Sequence, residues 1–192
     1  MLREQFLFGL VAAVVGAKTP RAAVECDHNT TLPYDRPLEI KMRVLDGPDF
    51  ALSKYAGYAV WLNIFATWCE PCVNEQPFIV RAATDRYEHG LRVVGINFRE
   101  SDDTVRAYRT KYGISYPIAM DQTGGFTYAL ETGTTEKNVE FPAHLFFTRQ
   151  GVLDCYVVGS MTDDEISHKL DVISGALPTP PPTPEPSNGG VL

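Results

Sequence analysis

Two cysteines, Cys69 and Cys72, stand two residues apart in the stretch "NIFATWCEPCVNEQP", residues 63–77. Thiols at that spacing can close a small exchangeable disulfide, supply half of a metal site, or staple the start of a helix. Structural zinc takes four nitrogen or sulfur ligands, commonly as a second pair at similar spacing. The other cysteines, Cys26 and Cys155, are isolated in the sequence, which argues against zinc. Redox chemistry gains from the flanking residues. The apolar run "YAVWLNIFA" precedes the pair, and a helix is expected from Pro71 to about Glu88, kinked at Pro77. Cys69 then falls at a helix N-terminus, where unpaired N–H groups and the helix dipole favour thiolate over thiol. On this reading Cys69 is the exposed nucleophile, and Cys72, one turn on and on the same side, resolves the mixed disulfide.

The elements that must hold this pair alternate along the chain. "PLEIKMRVLDGPDFALSKYAG" has short apolar pieces broken at Asp46-Gly47-Pro48 and suits an opening β-hairpin. "YAVWLNIFA" is rich in β-branched and aromatic residues, as a central strand covered on both faces requires. "LRVVGINF" is a second buried strand, and "SDDTVRAYRTKYG" is a helix capped at Ser101 or Asp102 and stopped at Gly113. "YPIAMD" is a short strand, "GGFTYALET" a brief helix, and "PAHLFF", "TRQG" and "VLDCYVVGS" make strand, turn and strand. "TDDEISHKLDVISGAL" closes the series as an amphipathic helix with Ile166, Leu170 and Ile173 at helical spacing. The series implies an α/β fold with a mixed sheet and helices on both faces, its chemistry at the C-terminal end of a central strand.

Charge and composition exclude other classes. The formal net charge of −7, with no basic run, argues against nucleic-acid binding. Phe6 to Ala17 is an uncharged apolar run of 12 residues behind Arg3, which reads as a secretory leader rather than a complete span of about 20 residues. Residues 1–23 are therefore a signal peptide or a retained membrane anchor, and residues 24–32 a linker. The Pro-rich stretch "PTPPPTPEPSNGG" makes residues 178–192 an extended or disordered tail.

The segment "NIFATWCEPCVNEQP" resembles the active-site segment of thioredoxin-fold proteins, and most closely that of the exported TlpA-like and ResA-like thiol-disulfide oxidoreductases. The likeness runs from about Asp49 to Leu177, through "FALSKYAG", "YPIAMDQTGGFTYAL", "FPAHLFFTRQGVLDCYVVG" and "GSMTDDEISHKL". It implies a thioredoxin-like three-layer α/β/α domain over residues 33–177, with an N-terminal β-hairpin and an inserted central segment. It also implies reduction of protein disulfides outside the cytoplasm, in the periplasm or at the outer face of the membrane, notably in c-type cytochrome maturation. A disulfide-bearing protein such as apocytochrome c would be the substrate and a membrane thiol carrier the electron donor. Two thiols carry the chemistry, with no cofactor and no metal.

Departures from thioredoxin sharpen the resemblance. Thioredoxin has an aspartate six residues before the first cysteine, where this chain has Asn63. The exported relatives have a glutamate six residues after it, matched by Glu75, whose carboxyl would exchange the proton of Cys72. Glu70 opposes a thiolate at Cys69, which favours a reductant, and Pro71 stiffens the first helical turn. The cis-proline that faces the cysteines in such folds is expected at Pro142, with Pro117 as runner-up. Trp68, Glu70, Pro71, Phe141 and Pro142 would contact substrate. Two other readings stay open: a copper-delivery module using Cys69, Cys72 and His144, and a domain that binds partners through its acidic face without turnover. Cys155 is expected as a buried core thiol, with a Cys26–Cys155 bridge as the alternative.

Overall fold

A computed structural model of the chain describes residues 25–27, 30–130 and 139–175. The N-terminal apolar run, most of "ETGTTEKNVE" and the Pro-rich tail lie outside the described residues. In chain order the elements are β1 (Lys41–Met42), β2 (Phe50–Ala51), a 3₁₀ turn (Leu52–Tyr55), β3 (Ala59–Phe65), α1 (Glu70–Asp85), β4 (Leu91–Phe98), α2 (Asp102–Tyr112), β5 (Ile118–Asp121), α3 (Gly125–Leu130), β6 (Ala143–Phe147), β7 (Leu153–Val158) and α4 (Asp163–Ser174). Strands β5-β4-β3-β6-β7 make one sheet, and β1 and β2 form the expected hairpin with strands of two residues each. The fold is the mixed α/β arrangement of thioredoxin-like proteins.

Every residue of β3 is buried, because it has a strand on each side and a packed layer on each face. It runs parallel to β4 and antiparallel to β6. From β3 the chain steps outward to β4 and again to β5, always in the same direction. Right-handed crossovers therefore put α1 and α2 on one face. There Trp61 and Phe65 pack with Ile79, Ala82 and Ala83 of α1, Val105 and Tyr108 of α2, and Ile166 and Leu170 of α4. The chain then reverses to reach β6 on the other side of β3, and the short α3 falls on the opposite face. Here Val60, Leu62 and Ile64 pack with Ile40, Phe50, Leu52, Leu130 and Phe147. The second outer layer is thus the six-residue α3 with the hairpin and the 3₁₀ turn, thinner than a full helical layer.

Local signals end the helices where expected. Ser101 caps α2 by accepting from Thr104 N–H, and Gly113 ends it in the left-handed region at φ 63°. Thr162 and Glu165 form a reciprocal capping box on α4. Helix α1 ends at Asp85, slightly short of Glu88, and continues through Pro77, which lies on its exposed side. Gln76 of α1 joins the outer elements: its amide nitrogen donates to the Tyr116 hydroxyl (2.6 Å) and its amide oxygen accepts from the Tyr108 hydroxyl (3.4 Å).

Both edges of the sheet are covered. Leu45 N–H donates to Ile118 C=O, and Met120 N–H to Arg43 C=O, so the hairpin loop lines β5. Leu38 N–H donates to Gly151 C=O, and Asp27 N–H to Tyr156 C=O, beside β7. Edges filled in this way offer no template for another chain. Residues 24–32, read as a linker, are fastened to the domain wherever they are described. Thr31 N–H donates to Leu130 C=O, and Thr30 Oγ1 to the same carbonyl (2.5 Å). Cys155 is not a free core thiol, because it is bridged to Cys26 across 129 residues of chain. The strap lying along β7 brings Cys26 over the fully buried Cys155, an approach that no sequence spacing reveals.

Closing so long a loop restricts the unfolded chain. Replacing Cys26 and Cys155 together by alanine is expected to lower unfolding stability by about 2–4 kcal/mol. Urea denaturation with the Cys69–Cys72 pair intact measures this, and an unchanged midpoint would show the strap to be energetically idle. Burial raises the ionisation of Tyr108 and Tyr116 well above the ordinary 10.0. The unfolded phenols ionise near pH 10 and the folded ones only above it, so stability is unaffected below that pH and falls as pH rises past it. Absorbance titration at alkaline pH should show these two tyrosines ionising last, together with unfolding.

Candidate active site

The C-terminal end of β3 delivers the chain through Ala66, Thr67 and Trp68 to Cys69, which is the N-cap of α1 with extended backbone (φ −78°, ψ 108°). Its sulfur accepts from Cys72 N–H at 3.2 Å, one of the orphan donors of the helix start. Pro71 occupies the first turn, where its missing N–H costs nothing. Cys69 and Cys72 are joined, with S–S 2.08 Å and Cα–Cα 5.3 Å. Contrary to the expectation of an exposed nucleophile, Cys69 is 5% exposed and Cys72 2%. In the disulfide state both sit in the apolar cluster with Phe65, Ala66 and the half-buried Phe141. Glu70 and Pro71 are exposed, so the charge of Glu70 acts on Cys69 from the solvent side.

The loop that presents Cys69 is gripped from β4. Glu100 accepts from Thr67 N–H (2.7 Å) and Thr67 Oγ1–H (2.5 Å), and also from the buried Asn97 side chain (2.7 Å). Sequence reasoning missed Glu100. The readable signal is an acid just past the end of a parallel strand whose Asn97 is level with Phe65 of β3.

The Phe141–Pro142 peptide bond is cis and Pro142 is buried, as expected; Pro117 is trans. Ile64 is level with Ala143 in the β3–β6 pairing, so one further step puts Pro142 beside Phe65 at the strand end that leads to the cysteines. Phe141 meets Trp68 edge-on (centroids 5.8 Å) and leans on Phe98 (5.0 Å), forming a small aromatic surface. Trp68 is 67% exposed. The structure thus brings Trp68, Cys69, Cys72, Phe141 and Pro142 to one end of the sheet, with Glu70 and Pro71 on its rim.

Glu75 lies one turn after Cys72 and is buried, 7% exposed. Its Oε1 accepts from Met161 N–H at 2.6 Å. Its Oε2 faces His144 Nε2 at 3.4 Å, a long contact, and neither atom has a hydrogen-bond partner. The other ring nitrogen of His144 accepts from the Trp61 indole N–H at 3.3 Å and stands 3.4 Å from the Asn63 amide nitrogen. This arrangement corrects the copper reading. His144 is fully buried and points both nitrogens at protein groups, and the described residues contain no cluster of three ligating side chains that could hold a metal ion. The residue expected at the thiols turns out to be the neighbour of Glu75.

The family model of AhpC/TSA proteins matches residues 35–155. The chain belongs to the AhpC/TSA family. Within that thioredoxin-like family it is 30% identical over 137 residues to the thioredoxin-like protein YneN of Bacillus subtilis strain 168, covering 70% of this chain and 76% of that protein. The thiol-disulfide oxidoreductase ResA of Geobacillus kaustophilus is 26% identical over 129 residues, 67% of this chain and 71% of its own length. Among solved structures, a thioredoxin-family thiol:disulfide interchange protein of Chlorobium tepidum TLS is similar with a TM-score of 0.62 at 24% identity, covering 75% of this chain and 99% of that one. That last likeness concerns the fold. The ResA-like resemblance read from the residues holds.

Removing the Glu100 carboxylate strands the Thr67 and Asn97 donors. Glu100→Ala is expected to cost about 1.5–3 kcal/mol of stability, as for a hydrogen-bonded charge. It should also speed hydrogen exchange at Thr67 N–H, measurable by NMR; unchanged protection there would show that Glu100 does not hold the loop.

Proposed function

We propose that this chain is an extracytoplasmic thiol-disulfide oxidoreductase that reduces disulfides in protein substrates. The observation that carries the reading is the Cys69–Cys72 disulfide at the N-terminus of α1, with buried Glu75 one turn further on. The placement of Phe141 and Pro142 beside the cysteine end of β3 and the thiol-disulfide chemistry named for the chain's relatives support it. In the reduced protein, the Cys69 thiolate attacks one sulfur of a substrate disulfide, and the other substrate sulfur leaves as a thiolate that takes up a proton. Glu75 then accepts the Cys72 proton, and the Cys72 thiolate attacks Cys69 Sγ. The Cys69–Cys72 bond forms, the bond to substrate breaks, and the second substrate thiolate is protonated. Two electrons have passed to the substrate, and a membrane thiol donor restores the dithiol.

The reducing direction is supported by Glu70. A negative charge beside Cys69 disfavours its thiolate, and a destabilised thiolate makes the disulfide harder to reduce and the dithiol a stronger reductant. Trp68, Phe141 and Pro142 receive the substrate beside the reacting sulfur. The aromatic surface suits an unfolded or extended segment such as apocytochrome c. Export is supported by the Phe6–Ala17 run and by the Cys26–Cys155 disulfide, since structural bridges form and persist in oxidising compartments. Among the described residues no helix is long and apolar enough to cross a membrane.

Cys72→Ala should accumulate disulfide-linked adducts with substrate proteins on non-reducing gels, and Cys69→Ala should not. A reduction potential near or below about −270 mV supports a reductant, and one nearer −120 mV assigns an oxidant instead. Glu75→Gln is expected to slow resolution of the mixed disulfide by about 100-fold, the scale of positioned acid-base assistance.

A further inference from the structure

Glu75 does not act alone in its buried site. The Trp61 indole N–H is a donor only, and it is directed at His144 Nδ1 from 3.3 Å; the Asn63 amide nitrogen converges on the same atom. An Nδ1 that accepts cannot carry a proton, so the ring proton belongs on Nε2, the atom facing Glu75 Oε2. The imidazole therefore aims its one N–H at the carboxylate. Opposite it, Met161 N–H already holds Oε1.

We propose that His144 is a positioning residue for the mixed-disulfide resolution step: an N–H donor that fixes the orientation of the Glu75 carboxylate. The inference rests on the reading of Glu75 as the group that takes the Cys72 proton. Before transfer, Glu75 is a carboxylate with donors on both oxygens, Met161 N–H on Oε1 and His144 Nε2–H on Oε2. Once Glu75 holds the proton it no longer needs a donor at Oε2; in the disulfide form that atom stands 3.4 Å from His144 Nε2. No proton is exchanged with the imidazole, and the electron balance is that of the dithiol step. Along α1, Cys72 stands one turn before Glu75 and titrates only once the disulfide is reduced. From β3 come Trp61 and Asn63, and before α4 the Met161 amide, none of which titrates. On the flanking helices Arg81 pairs with Asp163, and Lys169 with Asp154 and the Cys26 sulfur.

The test combines single-turnover reduction of a disulfide-bonded model peptide with ¹⁵N NMR of the histidine rings in the full chain. Gln places an amide N–H where Nε2 stands, and Leu removes it. His144→Leu is expected to slow resolution about tenfold near neutral pH, because the carboxylate loses the donor that orients it. His144→Gln is expected to stay within about threefold of the parent rate. In a Glu75→Gln background, His144→Leu should add no further loss, and NMR should show Nε2 protonated and Nδ1 bare. A parent-like rate in His144→Leu, an equal loss in His144→Gln, an undiminished effect in the Glu75→Gln background, or a proton on Nδ1 would each overturn the role of His144 while leaving Glu75 in place. A Glu75→Gln protein that resolves at the parent rate would instead remove the reading on which the inference rests.

Discussion

The rest of the structure depends on one constraint: a pair of bonded sulfurs has to be held at a helix N-terminus while the strand leading to it is buried on every side. β3 meets it by having β4 and β6 as neighbours and a packed layer on each face. Its backbone polar groups are consumed in the ladders, so its end position is set by two strands rather than by a loop. From β4, Glu100 fixes the turn before Cys69; from β6, the register puts Pro142 beside the same strand end. The cysteines inherit their geometry from these neighbours, and α1 supplies the N–H groups that favour negative sulfur.

Several buried polar groups gather around β3 and the cysteine helix. Asn63, Glu75, Gln76, Asn97 and His144 are all buried. An unpaired buried polar group costs about 1–3 kcal/mol, so their retention calls for partners. Gln76 and Asn97 connect secondary-structure elements. Asn63, Trp61 and His144 form a chain that ends at Glu75, the one buried acid on the cysteine helix. A carboxyl taken out of water needs polar partners, and here an amide after β7 donates to one oxygen while a ring on β6 faces the other.

The periphery serves a different need. A five-stranded sheet has two open edges, and each is occupied by an early part of the chain: the hairpin loop along β5 and the strap along β7. The Cys26–Cys155 bond fixes the strap to the strand that continues into the segment bearing Met161. The same strap joins whatever precedes residue 25 to the domain, so an N-terminal attachment would be transmitted through a covalent bond to β7 rather than through a loose tether.

How much was legible in the sequence follows from the range of the interactions involved. Strand and helix order, the caps at Ser101, Thr162 and Gly113, the helix start at Cys69 and the proline opening β6 are local, written in patterns a few residues long. Glu75 was readable from the resemblance to the exported oxidoreductases, and its role from its place one turn after Cys72 on the same helix. The partners of Glu75 were not, since Met161 and His144 are 86 and 69 positions away and meet it only when β6 pairs with β3. The sequence left the Cys26–Cys155 bond open as an alternative for the same reason, and the burial of Cys69 was not legible in it. The sequence by itself therefore determined where a dithiol would sit in its own secondary structure and what chemistry two thiols and an acid can perform. The tertiary structure alone decided which buried groups face that acid and which cysteines meet, because both depend on strand pairing between segments that have no local relation.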